Sequence, residues 1–420
     1  MASTIFGIII AVLVFDYALE RILDLLNAKH RVQELPIELQ DIYNAEEYAK
    51  QQQYEQTKTQ FGFITASFSF ILILGMLLFD GFAVIDTYIY SSFGTPQEPL
   101  NHILGGLLFF GIVMFASDIL GIPFEIYSTF VIEEKFGFNK TTPKIFVFDK
   151  LKSWLLSILL GGGILAALLF LISYFGNYFW VYAWIFVALI MIAITMFYST
   201  LIVPLFNKQT PLEEGELKQA IFEFSSKVGF KLDNIFVIDG SKRSTKANAY
   251  FSGLGAKKRI VLYDTLIQEM TTEEIVAVLA HEIGHYKKKH TRTMIVASLL
   301  QMGLLLYIFG LFVNSPWLTE ALGIPYEQGK FHIALFVFSI LYSPLSFIIS
   351  IGMNILSRKH EFEADAFASQ QYSGEYLEQS LRKLSKRNLS NLTPHPLYVF
   401  FYYSHPPLLQ RIRAMRSIKK

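Results

Sequence analysis

The sequence predicts an all-α polytopic membrane protein of seven transmembrane helices, with a small α+β domain on its cytosolic side. Three observations carry this. Only 17% of the 420 residues are charged, against about 25% in soluble domains. Hydrophobic residues make up 53%, Phe alone numbering 39, which is the balance of a chain largely solvated by lipid. Long uncharged runs alternate with charged segments, and one of those segments changes to a pattern of short strands. The 36 basic and 35 acidic residues nearly cancel, which excludes a dedicated nucleic-acid binder, since such a protein carries a basic excess. There is no cysteine. Disulfides, thiolate nucleophiles and Cys-bound zinc are therefore excluded, and any metal must be held by His and carboxylates.

The elements follow in chain order. Residues 5–15 are apolar, and the helix is expected to continue through Asp16, Glu20 and Arg21 to about residue 26. It lacks a basic leader and an A-x-A site, so it is expected to be retained as a span rather than cleaved as a signal peptide. Residues 61–79 give 19 uncharged positions, and 103–124 are interrupted only by Asp118. The longest uncharged run, 153–207, has 55 residues. One crossing needs about 20, so this run is expected to hold two spans with a turn near Gly176 and Asn177. Residues 293–319 and 331–357 give 27 uncharged positions each, one span apiece. The boundaries that result are 1–205 for five spans, 206–292 for the inserted domain, 293–357 for two more spans, and 358–420 for the C-terminal region.

Positive charge orients these spans. Lys29, Arg31, Lys50 and Lys58 lie in 27–60, and Lys135, Lys140, Lys144, Lys150 and Lys152 lie in 132–152. The segments 206–292 and 358–420 are also rich in Lys and Arg, whereas the alternate loops near 90–100, 176 and 316–330 hold only Lys330. The positive-inside rule then puts the N-terminus outside and the tail in the cytosol. Asp16, Glu20, Asp80, Asp118 and Glu125 sit in or near spans, where bare carboxylates are costly. They are expected to pair, to lie near helix ends, or to face water between helices.

Within 206–292, three stretches read as short strands: NIFVI at 234–238, ANAYFS at 247–252 and RIVLY at 259–263. Thr271 and Glu274 then have the spacing of a capping box that opens a helix. That helix carries HEIGH at 281–285. Residues i and i+4 share a helix face, so the imidazoles of His281 and His285 can reach one ion. Glu282 lies about 100° round the helix, suited to hold a water on that ion and act as general base. A catalytic site with an open position needs a third protein ligand. Residues 357–367, SRKHEFEADAF, follow the last span on the same side, and Glu361 is expected to supply it. Asp365, one turn on, is suited to orient a ligand imidazole.

HEIGH, then HEFEADAFA about 75 residues later, then SHPPLLQRI near the C-terminus, in a seven-span chain, resemble the zinc-dependent CAAX prenyl proteases. The resemblance extends over the whole chain, including 241–253. It implies one Zn²⁺ per chain, and it favours Glu361 over Glu363 and His360 as the third ligand. It implies seven helices enclosing a large water-filled chamber, with a zincin-like catalytic domain at the cytosolic end. It also implies that His405 and Arg411 line the active site, where either can stabilise an oxyanion. From spacing alone, His405 is a helix-start residue before a Pro pair, and Arg411 is a solvated helix face or a partner for Asp365. Asn248 and Ala249 lie in the strand expected to bind substrate by backbone addition, or else in a simple edge or turn. The remaining histidines read as bystanders: His30 and His290 solvated among charges, His102 and His332 near span ends, and His395 in a turn. Lys287, Lys288 and Lys289 read as a headgroup-facing helix end, and Lys242, Arg243 and Lys246 as solvated loop charges, with contact to a substrate carboxylate as the alternative.

The functional expectation is therefore a membrane zinc metalloendopeptidase that uses activated water. Its substrate would be a peptide or protein, by resemblance a prenylated C-a-a-X protein losing its last three residues. The bilayer is its second partner. Its membrane would be a bacterial cell membrane or that of the endoplasmic reticulum. A broader quality-control protease is the alternative within the class, and a seven-span transporter or receptor lies outside it. An intramembrane-cleaving protease is disfavoured because basic residues follow HEIGH directly.

Overall fold

The computed structural model describes residues 1–30, 35–94, 99–232, 234–253, 259–327 and 330–418. Arg31, one of the charges used for orientation, and residues 95–98 of the 90–100 loop lie outside these residues.

The first half is helical: α1 (Ala2–Lys29), α2 (Ala45–Leu78), α3 (Gly81–Phe93), α4 (Pro99–Tyr127), α5 (Pro143–Leu156), α6 (Gly163–Phe175) and α7 (Phe179–Phe197). Local chemistry sets the boundaries. The Asn44 side chain accepts from the Glu47 amide at 2.8 Å while Glu47 accepts from the Asn44 amide at 3.0 Å, a reciprocal cap that starts α2. Asp80 takes a left-handed conformation, φ +56°, which ends α2 and starts α3, a helix that the uncharged-run pattern does not anticipate. Thr142 caps α5, and Pro143 occupies its first turn.

Six helices among the described residues are long and apolar enough to cross a membrane. One of them, Pro143–Leu205, is 63 residues long, about three times the roughly 20 residues that one crossing needs. It turns at residues 176–178, where Gly176 has φ +51°, and α6 and α7 pack against each other. This is the position expected for the turn.

Four of the five acids in or near spans have partners. Asp118 accepts from Lys150 at 3.1 Å and Trp154 at 2.7 Å, and Glu125 lies 2.7 Å from Lys150. Asp16 accepts from Ser343 at 2.5 Å, and Glu20 pairs with Arg21 at 2.9 Å. Asp16 and Glu20 also border a cavity of about 510 Å³ between α1 and the last long helix. Pairing therefore accounts for these four acids, and Asp16 and Glu20 share their cavity with Leu305, Leu335, Phe338 and Ser343.

A second unit follows α7. It comprises β1 (Gln209–Pro211), α8 (Glu216–Lys227), β2 (Ile235–Ile238), β3 (Ala249–Ser252), β4 (Arg259–Tyr263), α9 (Asp264–Glu269) and α10 (Thr272–Lys287). The sheet order is β1-β2-β4-β3; β2 and β4 are parallel and the other pairs antiparallel. β4 matches the expected 259–263, β2 and β3 are shorter than expected, and β1 and α8 were not anticipated. The chain then continues through α11 (His290–Phe312), α12 (Pro316–Glu320), α13 (Phe331–Ala368), α14 (Gly374–Arg387), α15 (Pro396–Tyr402) and α16 (Leu408–Ile418).

Two apolar cores result. One unites the sheet with α8, α10, α14 and α16, and the other fills the bundle around Phe109, Phe179, Phe309 and Val337. α13 joins them, because its 38 residues run unbroken past position 357. Arg243 and Lys246 are not solvated loop charges. Arg243 donates to Asp149 through two bonds of 2.7 and 2.9 Å, and Lys246 donates to Glu133 at 2.8 Å and to Tyr54 at 2.9 Å. Arg243 ties the loop before β3 to α5, and Lys246 ties it to α2 and to the segment between α4 and α5. His102 and His332 lie at the starts of α4 and α13, as expected, and both are buried: His102 bonds Ser173, and His332 bonds Asp86 at 2.8 Å.

Candidate metal centre

α10 is the rigid part of the site. Thr271 and Glu274 form the expected capping box, with bonds of 2.9 and 3.3 Å. The unbroken buried run from Glu274 to His281 sets the helix inside the lower core. From α14, Lys383 reaches the Glu274 carboxylate at 2.8 Å, and the Ser380 hydroxyl bonds the Glu274 carbonyl at 3.0 Å. α10 lies along α13, and Gly284 makes that approach close: a Cβ there would meet the Ala364 backbone at 3.2 Å.

This packing brings the two sequence motifs together. His281 Nε2 stands 3.1 Å from His285 Nε2 and 3.5 Å from Glu361 Oε2, and His285 Nε2 stands 3.2 Å from Glu361 Oε1. These three residues can hold a metal ion among the described residues. The spacing fits zinc. Ligand bonds of about 2.0–2.1 Å at tetrahedral angles put donor atoms about 3.3 Å apart. Chemistry and charge fit as well. Glu361 Oε2 is buried without a hydrogen bond of good geometry. Burial alone would lower the His281 pKa, but hydrogen bonds to Asp365 and Glu361 push it up to about 9. The same carboxylates favour any cation at that point.

The surrounding residues are ordered by role in space. Asp365 Oδ1 lies 2.9 Å from His281 Nδ1, on the ring edge away from Glu361. Arg411 donates to both Asp365 oxygens at 2.8 and 2.6 Å, and its Nη1 is 3.4 Å from Glu361. It is buried, so the solvated-face alternative does not hold. His405 Nδ1 is 2.9 Å from Glu361 Oε2, yet its side chain is 65% exposed, so it faces both the ligand and the open side. Glu282 is half-buried and, with His285, Phe251, Met294, Ser357 and His360, borders a cavity of about 300 Å³. β3 is one of the two edge strands of the sheet. Asn248 is exposed at its start, its carbonyl accepting from the Tyr263 amide at 3.1 Å, and Ala249 pairs with Leu262.

His290 also departs from expectation. His290 is not solvated: it is 4% exposed, its Nδ1 lies 3.0 Å from His285 Nδ1, and its Nε2 lies 2.9 Å from Glu363. Three consecutive lysines before it concealed this.

Comparison with known proteins agrees with the geometry. Residues 24–208 match the family model described as CAAX prenyl protease N-terminal, five membrane helices, and residues 211–419 match peptidase family M48. The chain is 38% identical over 422 residues to a CAAX prenyl protease 1 homolog of Arabidopsis thaliana, covering 99% of this chain and 98% of that protein. It is 36% identical to CAAX prenyl protease 1 of Saccharomyces cerevisiae, covering 92% and 89%. The crystal structure of S. mikatae Ste24p superposes with a TM-score of 0.91 at 34% identity, covering 98% of this chain and 99% of that one. The chain therefore belongs to the CAAX prenyl protease family of M48 metalloendopeptidases.

Proposed function

We propose that this membrane metalloendopeptidase holds one zinc ion with His281, His285 and Glu361. We further propose that it removes the C-terminal tripeptide of prenylated C-a-a-X proteins. The supporting observation is the convergence of three donor atoms at tetrahedral spacing from two helices, beside a half-buried Glu282. Zinc, when bound, supplies Lewis acidity that brings the pKa of a coordinated water to about 7.

The chain's own groups do the rest. Glu282 takes the proton of the attacking water and returns it to the leaving amine. The exposed imidazole of His405 donates toward the developing oxyanion. Arg411 and Asp365 lock the His281 ring, so the guanidinium acts on charge balance more than on substrate. Three carboxylates, Glu282, Glu361 and Asp365, against one guanidinium leave two negative charges for a dication to neutralise. An extended peptide lies against Asn248 and Ala249 as an added strand on β3, while a prenyl tail stays at membrane depth.

In the bilayer, the turn at 176–178 makes the Pro143–Leu205 segment two crossings, and seven in all. By the positive-inside rule the basic loops support a cytosolic position for the sheet, α10 and the tail after 358, in an endoplasmic reticulum membrane. Residues 206–292 form the catalytic insertion, between spans 1–205 and 293–357. The experiment is hydrolysis of matched peptides, one farnesylated and one not, by the purified chain. Cleavage of the farnesylated peptide alone is expected. Equal cleavage of both would replace the prenyl-specific reading with a broader protease.

A further inference from the structure

We propose that His290 is a positioning residue which, with Glu363, fixes the ring orientation and the Nδ1 proton of His285. This rests on the reading above, in which His285 offers Nε2 to the metal.

A ligand imidazole is held by the bond its other nitrogen makes, and that bond sets tautomer and angle. For His281 the partner is Asp365, 2.9 Å from Nδ1. For His285, Nδ1 faces another imidazole nitrogen, His290 Nδ1, at 3.0 Å. Two such nitrogens bond only if one carries the hydrogen and the other a lone pair. His285 turns Nε2 toward His281 and Glu361 at 3.1 and 3.2 Å, which leaves its proton on Nδ1. His290 therefore accepts at Nδ1 and carries its own proton on Nε2. That nitrogen is 2.9 Å from Glu363 Oε2, which accepts. The chain of bonds runs one way, from His285 through His290 to a carboxylate. His360 stacks flat on His290, with centroids 4.0 Å apart at 9°, and holds its plane.

The backbone is bent to allow this. Along an unbroken helix, residues five apart differ by about 140°, so His290 would point away from His285. Instead, Lys289 adopts φ +62° between α10 and α11. The left-handed region is unfavourable for a side-chain-bearing residue. The turn carries the His290 ring back onto His285. If His290 only packed α11 against α13, its hydrogen-bonding atoms would be irrelevant to the metal.

The test uses the full-length chain in detergent. Zinc affinity is measured by chelator competition, and the cobalt-substituted protein is examined by its visible spectrum. His290→Phe keeps a flat ring against His360 and loses both bonds. His290→Gln keeps one acceptor and one donor. The expected result is zinc affinity about 10–100-fold weaker in His290→Phe, with a shifted cobalt spectrum, and recovery of most of that affinity in His290→Gln. Wild-type affinity and an unchanged cobalt spectrum in His290→Phe would overturn the proposal. Should that variant not fold, Glu363→Ala decides: weaker zinc binding supports the proposal and unchanged binding overturns it. A wild-type chain that bound no metal through His281, His285 and Glu361 would overturn the metal-site reading itself, and this proposal with it.

Discussion

Gly284 of α10 faces Ala364 of α13 so closely that a methyl group on Gly284 would meet the Ala364 backbone and the Phe367 Cβ at 3.2 Å. The contact lies between the helix that carries His281 and His285 and the helix that carries Glu361 and Asp365. The separation of these two helices fixes the separation of the donor atoms.

Gly284→Ala should therefore force the helices apart by a few tenths of an ångström. Overpacking of this kind costs about 1–3 kcal/mol, and metal affinity should fall with it. Gly352→Ala is the control, because a Cβ at Gly352 meets nothing within 4 Å. Melting temperature and metal content of the two variants compare the effects. Equal behaviour would mean that the close approach does not set the site.

Glu282→Gln should retain metal and lose turnover by about 10²–10⁴-fold. Metal analysis alongside peptide hydrolysis separates the two effects. A variant with normal kcat would remove Glu282 from proton transfer.

Arg411→Met leaves the buried Asp365 carboxylate with His281 but without its guanidinium partner, and removing one member of a buried ion pair costs about 3–5 kcal/mol. The double variant Arg411→Met with Asp365→Asn should recover part of that stability but not the activity, since His281 then faces a neutral amide in place of a carboxylate. Thermal unfolding and a hydrolysis assay on the two variants and the wild type measure both. Full activity in the double variant would show that the His281–Asp365 bond is dispensable.

His405→Ala should preserve metal and the melting temperature, because the side chain is 65% exposed, while lowering kcat more than it raises KM. Loss of an oxyanion donor is worth about 10²–10³-fold. A pure KM effect would make His405 a substrate-binding group instead.

Part of this was legible in the sequence because local spacing is enough for it. The i, i+4 histidines, the Thr271–Glu274 cap and strand β4 depend only on neighbours. The turn at Gly176 followed from the length of the uncharged run. What could not be read depends on distant contact. Arg243 and Asp149 are 94 positions apart, and Lys246 and Glu133 are 113 apart. No periodicity connects such pairs, so their charges looked solvated. β1 has three residues and a proline, and exists because it pairs with β2. His290 was hidden twice: by the lysines before it, and by a left-handed Lys289 that no helical pattern foretells.

The central claim is a zinc ion shared by two helices. Anomalous diffraction at the zinc edge from crystals of the active chain tests it most directly. The expected result is one peak, about 2.0–2.2 Å from His281 Nε2, His285 Nε2 and a Glu361 oxygen. A catalytically active crystal with no peak there, or with its peak bound by other residues, would contradict it.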